Sequence, residues 1–499
     1  MNNRKFSLGF STLDKEIAIE ELPIKGTLPT WLSGTLVRNG PAKFEVGNKK
    51  LRHWFDGFAM LHKFSFQNGK VSYANKFLES KAYKYTKEKG EIGYSEFATD
   101  PCRSIFKRFA QMFSPRPTDN ANVNISRIAN EFVALTETPL PIEFDPKTLK
   151  TVGVSKYDDK LKGIITTAHP HYDFERKEGI NYLTHFSAKN SYNIYRVPHG
   201  SKTREIIGTI PAKEPAYMHS FGLTQNYVVL AEYPFVINPM NLLFSGKPFI
   251  ENFKWKPEKG TNFLLLDRKT GQLSRFSTKS FFAFHHINAF EENGKVIIDI
   301  VAYPNIDIVQ SLYLDILRGD TNKSMVSVGE LRRYEITLSD SSVKYQVLSK
   351  EPIELPRINY ELSNTKNYRF VYGTGSDKNN PDNFLDRLVK IDIQERTSKT
   401  WKEDECYPGE PVFISSPNAT KEDDGVIISV VLNAQKGNSF LLVLDAISFV
   451  EITRAEVPHH IPFGFHGQFY KSGLPGFEWV KIDEKSGKIN VLGERRQEF

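Results

Sequence analysis

The feature that most constrains this chain is a short pattern repeated along its length: an apolar run, a turn holding Asp, Asn, Gly or Ser, and a second apolar run. It occurs as HKFSFQNGKVSY from His62, PIEFDPKTLKTV from Pro141, NFLLLDRKTGQLSRF from Asn262, RYEITLSDSSVKYQV from Arg333, RLVKIDIQERTSKTW from Arg387, FLLVLDAISFVEI from Phe440 and EWVKIDEKSGKINVL from Glu478, with NIYRVPHGSKTREII from Asn193 as a looser member. Runs rich in Val, Ile, Leu and Phe joined by short polar turns are antiparallel hairpins. Several tens of residues separate one from the next, which is the repeat of a four-stranded blade with variable loops, so an all-β propeller is expected. Eight hairpins are compatible with seven blades if the terminal strands share one. A pair of β-sandwiches would use similar hairpins but needs a linker between its halves. No Pro/Ser/Gly-rich linker or low-complexity tract interrupts the 499 residues, which favours one domain spanning 1–499.

Aromatic residues make up 13% of the chain, including 37 Phe and 21 Tyr, enough for an extensive core. The net charge of +7 is small for this length and is not gathered into a basic block, so nucleic acid is not an expected partner. Cys102 and Cys406 are the only cysteines, which excludes a disulfide framework or a cysteine zinc site and points to a reducing compartment. The opening MNNRKFSLGF lacks a signal-peptide core, and no apolar run approaches a membrane span. The expected location is the cytoplasm, with peripheral membrane contact as an option and no obligate protein partner evident.

Helical periodicity is sparse. In SIFKRFAQMF from Ser104, Ile105, Phe106, Phe109, Met112 and Phe113 share one stripe, beside Lys107 and Arg108. Two readings stand: a helix packed on the propeller, or an interfacial helix dipping into lipid. The apolar segment PFVINPMNLLFSGKPF from Pro234 is open to similar readings, including the mouth of a tunnel.

Four runs carry histidine among aromatic, proline or glycine neighbours: AHPHYD, AYMHSFG, FAFHHIN and IPFGFHGQF. A lone histidine in an apolar run is more often a hydrogen-bonded core residue than a ligand, but four such runs favour one metal site. The candidates His169, His219, His285 and His466 are scattered over more than half the chain, so no local helix or loop gathers them, whereas inner propeller strands converge on an axis. Imidazole suits Fe, Zn, Cu and Ni alike, so the ligands leave the metal open. A ring bound through one nitrogen needs an acceptor for its other N–H. Glu137 in VALTETPLP, Glu354 in EPIELPRIN and Glu410 in YPGEPVFIS sit in settings apolar enough to serve, or are plain strand-edge residues.

With these runs in place, the chain resembles the carotenoid cleavage oxygenase family, which includes carotene and apocarotenoid oxygenases and the retinal pigment epithelium isomerohydrolase. GTLVRNGPAKFEVG from Gly34, HWFDGFAMLHKFSF from His53, TDNANVNI from Thr118 and PNATKEDDGVIISVVL from Pro417 carry the resemblance together with the His and Glu runs. It implies a seven-bladed propeller, with loops and short helices capping the metal face, and Fe(II) held on the axis by His169, His219, His285 and His466. The pattern selects His169 over His171 and His285 over His286, makes Glu137, Glu354 and Glu410 the partners of three of the four rings, and gives His53, His62, His459 and His460 no catalytic role. It further implies O2 and a hydrophobic polyene as substrates, with one carbon–carbon double bond split into two carbonyl products, possibly the central one giving retinal. No nicotinamide or flavin motif is present or needed. The family places a small β-branched side chain over the open iron position, here Val123. DPCRSIFKRF from Asp100 resembles the isomerohydrolase, with Cys102 matching a cysteine implicated there in membrane attachment. Retinyl ester isomerohydrolysis and stilbene-type cleavage are the alternatives within the family. A binding scaffold with a vestigial metal is the alternative outside it. Phe106 and Phe235 are the residues offered for a tunnel wall.

Overall fold

Asn68 and Gly69 both adopt left-handed backbone, φ 51° and 75°, and join strands Phe58–Gln67 and Lys70–Phe77 as a tight hairpin. Such turns match the twist of the flanking strands, and glycine meets no steric cost there. In the computed structural model, which describes residues 4–100, 117–323, 329–377, 380, 383–472, 480–482 and 489–491, hairpins of this kind build seven antiparallel sheets arranged as a seven-bladed β-propeller with few short helices.

From the axis outward, blade 1 holds Gly467–Lys471, Gly34–Lys43, Phe58–Gln67 and Lys70–Phe77. The innermost strands of blades 2 to 6 are Asn124–Ile128, then Ile165–Thr166 with His171–Asp173, Gly222–Leu223, His286–Glu292 and Glu354–Arg357. Blade 7 begins with Cys406–Pro408 and Val412–Ser415 and ends with Glu451–Val457, to which Ile24–Gly26 adds an edge. The ring therefore closes twice. Arg38 pairs with Gly467 and Gly34 with Lys471, while Ile24 pairs with Ala455 and Gly26 with Thr453, so both ends of the chain are tied into blades formed from its opposite end. Closure of this kind leaves only short, protected sheet edges.

Seven of the eight hairpins seen in the sequence fall one to a blade, the looser member from Asn193 in blade 3. The eighth, Val480–Ile482 with Ile489–Val491, pairs only with itself among the described residues. Terminal sharing is made instead by Gly467–Lys471 and Ile24–Gly26, strands too short to announce themselves as hairpins.

Blades sandwiched between neighbours lose the alternation of a one-faced sheet. Gly425–Asn433 is buried along its whole length, whereas the outer strands Ser342–Val347 and Thr397–Trp401 are mostly exposed. Helices are confined to loops, and none among the described residues is long and apolar enough to cross a membrane. A 3-10 turn, Trp54–Asp56, and the short helices Asp307–Ser311 and Leu314–Leu317 help to cover the face that carries the histidines. The stripe Ile105, Phe106, Phe109, Met112 and Phe113 lies outside the described residues, as does Cys102.

Candidate metal centre

Each blade brings one of the sequence-selected residues to the axis, at or just ahead of its innermost strand or in a break within it. His466 comes from blade 1, Val123 from blade 2, His169 from the break in blade 3, His219 from blade 4, His285 from blade 5, Glu354 from blade 6 and Glu410 from the break in blade 7. Where a strand is short or broken, its backbone is free to turn a side chain inward instead of continuing the ladder. Close approach of two inner segments requires glycine at one place. A Cβ on Gly40 would stand 2.3 Å from the Cα of Gly464, two residues before His466.

The four imidazoles converge so that one nitrogen of each lies within 4.8 Å of all the others. Nε2 of His169 and His219 are 3.0 Å apart, and Nε2 of His285 and His466 are 3.4 Å apart. Two donors each about 2.1 Å from a common ion and at right angles stand about 3 Å from one another, so the ring has the dimensions of a coordination sphere.

The opposite nitrogens are committed elsewhere. His219 Nδ1 faces Glu137 Oε1 at 2.7 Å, His285 Nδ1 faces Glu354 Oε2 at 2.6 Å, and His466 Nδ1 faces Glu410 Oε1 at 2.7 Å. Each carboxylate takes the Nδ1–H and leaves Nε2 as a bare lone pair. His285 and His466 then oppose lone pair to lone pair at 3.4 Å, a repulsive contact in a buried setting that a cation between them resolves. Burial pushes His466 down to about 4 despite the Glu410 charge, and burial together with the neighbouring imidazoles holds His169 well below the ordinary range.

The carboxylates are themselves held. Tyr217 donates to Glu137 at 2.8 Å, and Tyr303 donates to Glu354 at 2.6 Å. Gly467 N–H donates to Glu410 Oε2 at 2.9 Å, and the Arg357 guanidinium lies 3.5 Å from Oε1. Burial works against ionisation of Glu410, yet the Arg357 charge, the hydrogen bond from His466 and the Arg38 charge bring its carboxyl down to about 2. Burial likewise opposes ionisation of Glu354, and His285, with the Tyr303 and Leu355 hydrogen bonds, outweighs it. No carboxylate reaches His169 among the described residues.

An apolar cavity ends on His219, His285 and His466. Its walls are dominated by apolar side chains such as Phe55, Phe284, Leu312, Phe384 and Phe465, and Glu354, bound to His285, is the one charged group in them. Part of the wall comes from the inner segments that carry the histidines, as with Phe284, Leu355 and Phe465, and the rest from the Trp54–Asp56 turn, the helices near 307–317 and the 383–385 loop, none of which carries a strand pattern. Phe235 is not among them: it is 2% exposed and packs on Tyr217, Phe253 and Phe282 in the core. Aromatic content alone does not separate a cavity wall from the space between blades. Phe106, the other residue offered, lies outside the described residues. The Pro234 segment supplies no wall residue either.

Val123 is 5% exposed and accepts the His466 backbone N–H through its carbonyl at 3.1 Å, and it is not among the described residues that line the cavity. His171 and His286 point away from the ring. Nε2 of His171 donates to the Phe221 carbonyl at 2.9 Å, and Nδ1 of His286 lies 2.9 Å from the Ser220 hydroxyl. His53 and His62 are buried in local networks with the Val309 carbonyl and the Tyr73 hydroxyl.

Fold and site together define a class: a propeller whose inner strands hold a four-histidine, metal-capable centre at the end of an apolar cavity. The family model described as retinal pigment epithelial membrane protein matches residues 10–471, and the chain belongs to that family of carotenoid oxygenases and their relatives. It is 36% identical to the mitochondrial carotenoid-cleaving dioxygenase of Mustela putorius furo, over 92% of this chain and 95% of that one. It is 34% identical to the β,β-carotene 15,15'-dioxygenase of Homo sapiens, over 89% of this chain and 91% of that one. Among solved structures, a mutant of Synechocystis apocarotenoid oxygenase superposes with a TM-score of 0.84 at 26% identity, covering 94% of this chain and 98% of that one. The cobalt-substituted form of the same oxygenase matches equally well. The family assignment makes the chain an oxidoreductase of the dioxygenase type.

Proposed function

We propose that the protein is a non-haem iron(II) dioxygenase that cleaves one carbon–carbon double bond of a carotenoid or apocarotenoid into two carbonyl products. The observation that carries this reading is the apolar, aromatic-walled cavity ending on His219, His285 and His466. His169, His219, His285 and His466 would hold the metal, and Glu137, Glu354 and Glu410 would fix three of the rings. Iron(II), when bound, supplies activation of O2. Both oxygen atoms end in the two carbonyls, so no external reductant is consumed.

The chain's own work is positioning and exclusion of water. The cavity would select its substrate by shape and apolar contact, and the rigid aromatic walls would present one double bond of the polyene to the metal. Val123, whose carbonyl accepts the His466 backbone N–H, would lie near the open iron position. The names of the relatives support the substrate class: they are described as cleaving carotenoids, and as acting on β,β-carotene at 15,15'.

Anaerobic iron(II)-loaded protein mixed with β-carotene or an apocarotenal is expected to be inert until O2 is admitted, and then to give two aldehydes, each carrying one labelled atom when the gas is 18O2. Bleaching without aldehydes, or turnover without O2, overturns the proposal. The family description also names a retinal pigment epithelial protein, so retinyl ester isomerohydrolysis is the second reading. It predicts an isomerised alcohol and free fatty acid from a retinyl ester. A stilbene substrate would give two aromatic aldehydes, and the same chromatogram separates all three.

A further inference from the structure

Side-chain hydrogen bonds beside the histidines cross six of the seven blade junctions, and an ion pair crosses the seventh. Asn39 of blade 1 donates to the carbonyls of Ala121 and Asn124, at 2.7 and 3.2 Å, and its own N–H donates to the carbonyl of His466 at 2.9 Å. Asn124 of blade 2 donates to the carbonyl of Ala168, next to His169, at 2.8 Å. Thr167 of blade 3 donates to the carbonyl of His219. Ser220 of blade 4 donates to the carbonyl of Phe284 at 2.6 Å. His285 to Glu354, Arg357 to Glu410, and Glu410 to His466 complete the circuit through blades 5, 6, 7 and 1.

Two members of this belt, Thr167 and Ser220, touch neither a ligand nitrogen nor the cavity. The Thr167 hydroxyl also accepts the backbone N–H of His169 at 3.0 Å, so one oxygen ties the backbones of the two ligands whose Nε2 atoms are 3.0 Å apart. The Ser220 hydroxyl also accepts the His286 backbone N–H at 2.8 Å, so it holds the residues on both sides of His285 while adjoining His219. Thr167 is 1% exposed and Ser220 5%, so water does not substitute for either bond.

We propose that Thr167 and Ser220 are positioning residues that set the spacing of His169, His219 and His285 before metal enters, Thr167 acting through the backbone of His169, whose ring no carboxylate reaches among the described residues. The inference rests on the metal-centre reading above. Side chains are otherwise free to move by fractions of an ångström at a junction between blades, and a donor set that must reorganise to bind loses affinity.

The test uses the full-length chain with Thr167→Val, Thr167→Ser, Ser220→Ala and Ser220→Thr. Metal affinity is read by chelator competition with Fe(II) under anaerobic conditions, ligand geometry by the visible absorption of the Co(II)-loaded protein, and folding by the melting temperature of the metal-free form. The hydroxyl-free variants are expected to weaken metal binding by about 10- to 100-fold, the range seen for lost outer partners, and to alter the Co(II) spectrum. Thr167→Ser and Ser220→Thr, which keep the hydroxyl, are expected to stay within about twofold of wild type. Thr167→Val and Ser220→Ala that fold and bind with wild-type affinity and spectrum overturn the belt alone. So does a weakening that the hydroxyl-retaining variants share in equal measure. A wild-type chain that takes up no metal overturns the metal centre, and the belt's role with it. If Thr167→Val does not fold, the Ser220 pair decides by the same criteria.

Discussion

The hub and the cavity meet at three histidines but are held by different physics. In the hub nearly every contact is directional: an imidazole on a carboxylate, a carboxylate on a phenol, a hydroxyl on a backbone carbonyl. Along the cavity the contacts are aromatic and aliphatic faces, such as Phe384 against Phe10, Trp54 and Phe463, with ring centroids 5.2, 5.8 and 4.7 Å apart. Directional bonds fix atoms to fractions of an ångström and tolerate few substitutions, while apolar walls fix a volume and tolerate exchange at nearly constant size. Within one scaffold, the hub is therefore suited to keeping a reaction and the cavity to changing its substrate.

The largest effect belongs to the four histidines proposed to hold the metal. His285→Ala removes a donor and leaves Glu354 without its main partner, so stoichiometric iron is expected to be lost and kcat/KM to fall about 10³-fold or more. Metal analysis and single-substrate kinetics measure both. A variant retaining full iron would show that three histidines suffice and would break the division between hub and cavity.

Next comes a dissociation between the regions. Phe384→Ala is expected to cost about 3–5 kcal/mol of stability and to raise KM, while iron per folded molecule stays at the wild-type level. Glu354→Gln should do the reverse. It keeps the volume but weakens orientation of His285, lowering iron affinity about 10- to 100-fold, with a smaller change in unfolding midpoint than Phe384→Ala produces. Urea denaturation and chelator competition on both variants decide the matter, and parallel losses in both measurements would mean that the two regions form one cooperative unit.

The same division governs what could be read in the sequence. The blades were readable because their outer hairpins are regular, with strands such as Thr261–Asp267 and Leu273–Thr278 meeting at a polar turn. Innermost strands such as Gly222–Leu223 and Ile165–Thr166 are only two residues long, because their backbone is diverted to aim His219 and His169, so the elements nearest the chemistry carry the weakest pattern. The histidines are visible through their unusual neighbours, and Glu137, Glu354 and Glu410 through their apolar settings, with the resemblance deciding between a ring partner and a plain strand-edge residue. Thr167, Ser220 and Asn124 escaped notice, since a hydroxyl or amide near a histidine means nothing until the fold brings a carbonyl some fifty residues away within reach. The cavity wall escaped for a different reason: Phe384 and Phe235 look alike in sequence, and only packing assigns one to the wall and the other to the core.

The smallest expected effect separates the regions by acid. His53 is fully buried beside Phe55, Phe97 and Tyr313, where Nε2–H donates to the Val309 carbonyl and Nδ1 accepts the Phe55 N–H. Burial pushes it down to about 3, against the Val309 hydrogen bond. Its folded value lies below the unfolded value of 6.5, so the unfolded chain takes the proton first. Stability from this group is therefore complete above pH 6.5 and falls as pH drops toward 3, by about 2 kcal/mol at pH 5. Unfolding free energies of the metal-free wild type and of His53→Gln at pH 7.5 and 5 isolate that contribution, because titration of the hub histidines is common to both proteins and cancels. The wild type is expected to lose about 2 kcal/mol more than the variant across the interval. Equal losses would mean that the packing around His53 stands independently of its protonation, and that the acid sensitivity lies in other groups.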